Sequence, residues 1–281
     1  MSSSTLESAA HVVSAKEEHA PEIVTDRSGS VLRIQLNRPA KRNAMTFNMY
    51  ATIAELLNQA VEDEGIRVVI LYGAGESFTA GNDLEDFLRN PPTDVANSPQ
   101  GRFIAALNNF DKPLIAAVHG AAVGSGTTVL LHCDFVYAAE NTTFRMPFID
   151  LALVPELGTS YSLPAQIGYI AAAELVMLGM PFDARRAAEL GLVTRVVSDH
   201  GLMATAMETA QALSQKPADA LRACKRLLKR GAREQTETAV RIEDEDYRTR
   251  LRSADAKEAM TAFFERRRPD FTKTKTAAVS H

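Results

Sequence analysis

Two short stretches decide the fold: Phe78-Thr79-Ala80-Gly81-Asn82-Asp83-Leu84 and Gly120-Ala121-Ala122-Val123-Gly124-Ser125-Gly126. The first sets a small residue and a glycine between an apolar, strand-like run and a helix start. The second uses glycines to turn the backbone tightly before a helix read from Ser125 to His132. Small side chains leave backbone N–H groups open to a ligand, and a helix start adds a field that favours negative charge. Two such donors converging on one point would make an oxyanion hole. Either stretch alone is weak, because glycine turns before helices are common.

Outward from these stretches the chain alternates strands and helices. Glu22 to Asp26 and Val31 to Leu36, joined by Arg27-Ser28-Gly29-Ser30, read as a hairpin, with Leu32, Ile34 and Leu36 on one face. Thr46 is placed to cap a helix whose apolar stripe is Met49, Ile53, Leu56, Leu57 and Ala60. Val68 to Leu71, Leu114 to Val118 and Phe135 to Ala138 are apolar runs of the kind found in strands covered on both faces. Asn90 to Pro99 is rich in Pro, Asn and Ser and reads as a loop. From Leu163 the pattern is mostly helical. The fold class is therefore α/β with a helical C-terminal subdomain: a disordered tail over 1–20, an α/β core over 21–200 and helices over 201–281.

Composition bounds the function. The 281 residues are 46% hydrophobic and 23% charged, with a net charge of -4. That balance supports a packed core and gives no electrostatic case for nucleic acid or an anionic membrane. Cys133 and Cys224 stand apart, with no Cys/His cluster, so reduced thiols and no metal site are expected. Met1 to His19 lacks the apolar run of a secretory signal, and Ser280-His281 carries no clear address.

Leu36-Asn37-Arg38-Pro39 with Lys41 and Asn43-Ala44-Met45, the stretch Phe78 to Leu84, Lys112 to Val118 leading into the Gly-rich turn, Cys133-Asp134-Phe135, and Ala262 to Pro269 form an ordered set. With them the chain resembles the crotonase (enoyl-CoA hydratase/isomerase) superfamily, from about Ile23 to Phe271. The resemblance implies a spiral of ββα units, a homotrimer or dimer of trimers, and an acyl-CoA thioester as substrate. No cofactor beyond the CoA moiety is implied. The location implied is the cytoplasm, or a peroxisome or mitochondrion in a eukaryote. It implies an oxyanion hole from the N–H groups of Ala80 and Ser125, the latter replacing a common glycine but keeping the N–H. For CoA it implies the Arg38 to Ala44 segment, with Lys41 or Arg42 as charges for phosphate, and the loop residues Gly81, Asp83 and Leu84. Phe263 and Arg267 on the last helix, of this chain or of a neighbouring subunit, would complete the site. Asp83 reads equally as a helix cap, and the basic residues equally as solvated surface.

A hydratase of this family uses two glutamates. Here the corresponding positions are Thr128 and Phe148. A carboxylate stands instead at Glu156, in Leu153-Val154-Pro155-Glu156-Leu157-Gly158. This segment is similar to the peroxisomal type of Δ3,Δ2-enoyl-CoA isomerase, in which a glutamate after the proline is the single base. The plain alternative for Glu156 is an exposed glutamate in a first helical turn. Asp150 reads as a structural hydrogen-bonding residue, His119 as a packed or capping histidine, and His132 as a core or surface residue rather than a ligand. Two other activities stay open: hydration with an atypical base, and acyl-CoA binding without catalysis.

Overall fold

The computed structural model describes residues 20–89 and 98–274. The N-terminal tail as far as His19, most of the Asn90 to Pro99 loop, and Ser280-His281 lie outside the described residues. Two sheets make up the β structure. The larger has strand order β1-β2-β3-β4-β6-β9, with β1 (Ile23–Ser28), β2 (Val31–Leu36), β3 (Val68–Gly73), β4 (Leu114–Val118), β6 (Phe135–Ala139) and β9 (Arg195–Val197). β1 and β2 form the expected hairpin, and every later pairing in this sheet is parallel. The smaller sheet joins β5 (Ala121–Val123), β7 (Thr143–Arg145) and β8 (Phe182–Asp183).

Parallel strands at the centre of a sheet are covered on both faces, and the burial of β3 and β4 follows that rule. Val68, Val69, Ile70 and every residue of β4 are buried. On one face α1 (Phe47–Glu62) packs Met49, Tyr50, Ile53 and Leu57 into the main core, and α3 (Pro99–Asn109) lies beside it. Thr46 caps α1, its hydroxyl accepting from Met49 N at 3.2 Å. On the other face α8 (Leu202–Ser214) sets Leu202, Ala206 and Ala210 against Ile70, Ile115 and Tyr137. Lys112 is buried just before β4, and its ammonium donates to the carbonyls of Ala60, Asp63 and Ile66.

The helices of the C-terminal part include α9 (Ala218–Arg230), α10 (Arg233–Leu251) and α11 (Ala254–Phe264). α10 packs against α5 (Thr159–Ile167), the helix that follows Glu156. The expected helix from Ser125 to His132 is two pieces: α4 (Ser125–Thr128) and a 3-10 turn over Val129–His132. Of the Gly-rich stretch, Ala121 to Val123 is strand rather than turn. Among the described residues no helix is long and apolar enough to cross a membrane.

Candidate active site

The loops that leave the carboxyl ends of β3 and β4 meet, as ligand sites in parallel sheets do. A short bridge joins them: Thr79 N donates to Ala121 O and Val123 N to Thr79 O, each at 3.0 Å. This approach needs glycine at two positions. At Gly81, with φ of +87°, a Cβ would lie 2.5 Å from Val123 O; at Gly126 it would lie 2.5 Å from the Thr79 methyl group. Asn43 holds the first loop from below. It is fully buried, and its amide donates to the carbonyls of Ala74, Ser77 and Phe78.

A cavity of about 390 Å³ opens over the junction. Its walls take Gly81, Asn82 and Leu84 from the first loop, Gly124 and Ser125 from the second, and Tyr247 from α10. Phe148, Leu151 and Leu153 supply apolar surface, and Phe263 and Phe264 stand at the edge supplied by α11.

Hydrogen-bond accounting corrects one of the two expected donors. The Ala80 N–H is committed to the carbonyl of Arg42 at 2.8 Å. Two residues on, Met45 N donates to Gly81 O and Asp83 N to Met45 O, so the Asn82 N–H points the other way and no acceptor among the described residues takes it. The Ser125 N–H, first in α4, is likewise without a backbone acceptor. The open donor pair on the cavity wall is therefore Asn82 and Ser125. α4 is one turn long, so the peptide groups themselves, not a helix field, would carry the interaction. The Ser125 hydroxyl is buried with no hydrogen-bond partner of normal geometry, although the Tyr50 phenol is its neighbour.

Glu156 sits immediately behind this wall. It is 4% exposed, not the solvated first-turn residue of the plain alternative, and stands two residues before the N-cap of α5. The Asn82 amide donates to both of its oxygens at 3.2 and 3.3 Å, and the Gln100 amide donates to one at 2.6 Å. The Tyr50 phenol donates to Asn82 Oδ1, which fixes the amide orientation. Burial pushes the Glu156 carboxyl up to about 7; the Asn82 and Gln100 bonds oppose this, and the nearby Glu243 and Asp244 add to it. Burial also raises the Tyr50 and Tyr247 phenols, which stay protonated.

The other expected site residues divide. Lys41, Ala44, Gly81, Asp83, Leu84 and Phe263 line the cavity. Lys41 among them is exposed. Arg38 is not a free cation: it pairs with Glu22 at 3.0 Å and Asp83 at 2.9 Å, and donates to Ala44 O. Arg38 and Asp83 thus brace the Arg38 to Ala44 segment and the Gly81 to Leu84 loop against each other. Arg42 is absent from the cavity wall and acts through its carbonyl on Ala80. Arg267 is also absent, being tied to Glu258 and Glu265. Thr128 is buried and Phe148 apolar, so no carboxylate stands at either position. Asp150 pairs with Arg145 at 2.9 Å, and His119 bonds Gly75 O at 2.8 Å. No cluster of potential metal ligands occurs among the described residues. Sequence reading missed Asn82 and Gln100 as partners of Glu156, and Tyr247; Gly81 before Asn82 was the one local signal.

Comparison with known proteins agrees with this geometry. The family described as enoyl-CoA hydratase/isomerase matches residues 26–274. The 1,2-epoxyphenylacetyl-CoA isomerase of Escherichia coli is 36% identical over 86% of this chain and 95% of its own length. Enoyl-CoA delta isomerase 2 of Rattus norvegicus is 31% identical over 90% of this chain and 66% of its own. The crystal structure of an enoyl-CoA hydratase/isomerase from Pseudoalteromonas atlantica superposes with a TM-score of 0.86 at 37% identity, covering 89% of this chain and all of that one. Two sheets, an open pair of peptide donors and a cavity between the loops after β3 and β4 thus accompany a match over nearly the whole chain: it belongs to the enoyl-CoA hydratase/isomerase family and is an acyl-CoA enzyme of the crotonase fold.

Proposed function

We propose that the enzyme is a Δ3,Δ2-enoyl-CoA isomerase in which Glu156 is the single proton carrier and the N–H groups of Asn82 and Ser125 hold the thioester oxygen. One observation carries this reading: the carboxyl beside the open N–H pair is buried and lifted to about 7, while positions 128 and 148 offer no second carboxylate. Glu156 removes a proton from C2, made acidic by the thioester. The C–H electron pair becomes the C1=C2 bond, and the carbonyl pair moves to oxygen, where the two N–H groups stabilise it. The oxygen pair then returns to remake the carbonyl. The C1=C2 pair moves to C2=C3, and the C3=C4 pair takes the proton from Glu156 at C4. A carboxyl with a proton affinity near neutral suits both halves of the transfer.

The Asn82 amide holds Glu156 just behind the cavity wall, so the same residue touches the base through its side chain and the oxyanion through its backbone. Lys41 meets a CoA phosphate as a point charge. No added cofactor enters the reaction. A homotrimer, or a dimer of trimers, belongs to the same proposal; Tyr169, Ile170, Met177 and Leu178 of α6 (Tyr169–Leu178) are exposed and offer apolar surface for it, which light scattering on the purified protein would test. The activity is tested with a 3-enoyl-CoA and with crotonyl-CoA, nothing else added. Formation of 2-trans-enoyl-CoA from the first is expected. Loss of the enoyl-thioester absorbance from the second, without isomerisation of the first, would establish hydration instead. Tight acyl-CoA binding with no turnover of either would leave only a binding module.

A further inference from the structure

We infer that Glu243, a second buried carboxyl that the proton transfer does not use, is a positioning residue that sets where the Glu156 carboxyl points. This rests on the reading of Glu156 as the proton carrier. α10 is strongly charged, yet it buries Ala239, Glu243 and Tyr247, spaced by four and so on one face. Glu243 is 4% exposed and absent from the cavity wall. Its two oxygens accept from Gly158 N and Ser160 N, each at 2.6 Å. Those are donors at the start of α5 that the helix itself leaves open, and a carboxylate there is favoured by the helix field.

The segment that Glu243 grips follows Glu156 directly, and its backbone is unusual. Leu157 has a φ of +63°, a conformation that costs a branched residue energy and persists only under outside contacts. Gly158 follows at +72°, where an added Cβ would lie 2.7 Å from the Thr236 methyl group of α10. His132 donates through Nε2 to Leu157 O at 2.8 Å. Burial holds this imidazole neutral, its pKa lowered to about 4. The Glu156 carbonyl is closed by the Thr159 hydroxyl at 2.5 Å. Backbone from 156 to 160 is thus held by His132, the Thr159 hydroxyl and α10, with Glu243 making two of the bonds. One turn beyond Glu243, Tyr247 forms the cavity wall next to Asn82 and Glu156.

The charged and titratable groups around the pair are few. Glu243, Asp244 and Tyr247 from α10 and Tyr50 from α1 face Glu156, and the neutral amides of Asn82 and Gln100 complete its surroundings. Asp244 faces Glu243 and is itself opposed by Arg248. Burial lifts Glu243 to about 7 as well, against its bonds from Ser160 and Gly158, so the two carboxyls ionise over the same range, and Glu243, once negative, makes Glu156 harder to ionise.

The test compares E243Q and E243D with E156Q on a 3-enoyl-CoA across pH. Glutamine fills the same volume but turns an NH2 group toward one of the two N–H donors. For E243Q, kcat falls by at least roughly tenfold, the scale of a small displacement of a reacting group. KM stays within about twofold, because the acyl-CoA walls are untouched. The acid limb of kcat/KM moves to lower pH, since a negative neighbour has gone. E243D keeps the charge but falls one methylene short, so it restores the limb and not the full kcat. Wild-type kcat and limb in folded E243Q, with E156Q inactive, would reduce Glu243 to a plain helix cap and overturn the inference. Should E243Q not fold, E243D decides: lowered kcat at constant KM upholds the inference and wild-type kcat overturns it. An active E156Q is a different outcome, and it removes the reading of Glu156 itself.

Discussion

Replacing Glu156 with glutamine should make the protein inactive and, above neutral pH, more stable. In the fold the carboxyl has a pKa of about 7, against 4.5 in the ordinary state. The folded chain therefore holds this proton longer than the unfolded chain. Stability from this group is fully present below about 4.5 and declines as pH rises to about 7, with the loss complete above that. At about 1.4 kcal/mol per pKa unit, the charged carboxyl costs at most about 3.5 kcal/mol at pH 8. Glutamine removes the charge but turns an NH2 group toward the amide of Asn82 or Gln100, a lost hydrogen bond of about 1 kcal/mol. The net gain expected at pH 8 is about 1–2 kcal/mol, and it vanishes or reverses at pH 4. Loss of a general base costs roughly a hundredfold to ten-thousandfold in kcat. Thermal unfolding of both proteins at pH 4 and pH 8, with turnover of a 3-enoyl-CoA, measures both effects. A variant that retains activity within a few-fold of wild type would refute the assignment of the base. A stability difference that ignores pH would refute the buried-charge account.

Removing the Asn82 side chain as Asn82→Ala leaves its peptide N–H in place but strips a donor from Glu156, so the acid limb of kcat/KM should move up by about one pH unit or more; a pH-rate series reads it. Ser125→Ala keeps the N–H and removes a buried hydroxyl without a partner, so kcat should hold within about twofold while unfolding free energy rises by about 1 kcal/mol, measured by denaturant titration. Lys41→Ala should raise KM for acyl-CoA several-fold with little change in kcat, and the difference should shrink as salt is added. In the unmodified enzyme kcat/KM should fall about tenfold per pH unit below the Glu156 pKa and level off above it.

The strands and helices that were legible share a property: each carries its own pattern. The alternation of Leu32, Ile34 and Leu36, and the stripe Met49, Ile53, Leu57, state their faces without help from the rest of the chain. β5, β7 and β8 are three, three and two residues long, too short for any period to register, and they exist because tertiary contacts pair them. The site divides the same way. Glu156 stood out as a carboxylate after a proline in apolar company. Ala80 was misread because nothing in the local sequence says which of two neighbouring N–H groups will be spent on Arg42 O; that depends on a segment nearly forty positions earlier. Arg38 and Arg267 read as CoA-site residues because a sequence does not display the acids, Glu22, Asp83, Glu258 and Glu265, that fold against them. Glu243 gave no signal at all among its acidic neighbours in the Glu243-Asp244-Glu245-Asp246 run.

The open N–H pair of Asn82 and Ser125 also bears on how such a chain is inherited. A peptide N–H is present whatever side chain the codon specifies, proline alone excepted. Short of proline, no substitution at position 82 or 125 removes the open N–H itself, provided the loop keeps its path through Gly81 and Gly126. The side chains that surround that grip, Glu156, Thr128 and Phe148 among them, are each one gene position. On the proposed mechanism, a lineage can therefore exchange the proton-moving groups while the two backbone donors pass unchanged from parent to descendant.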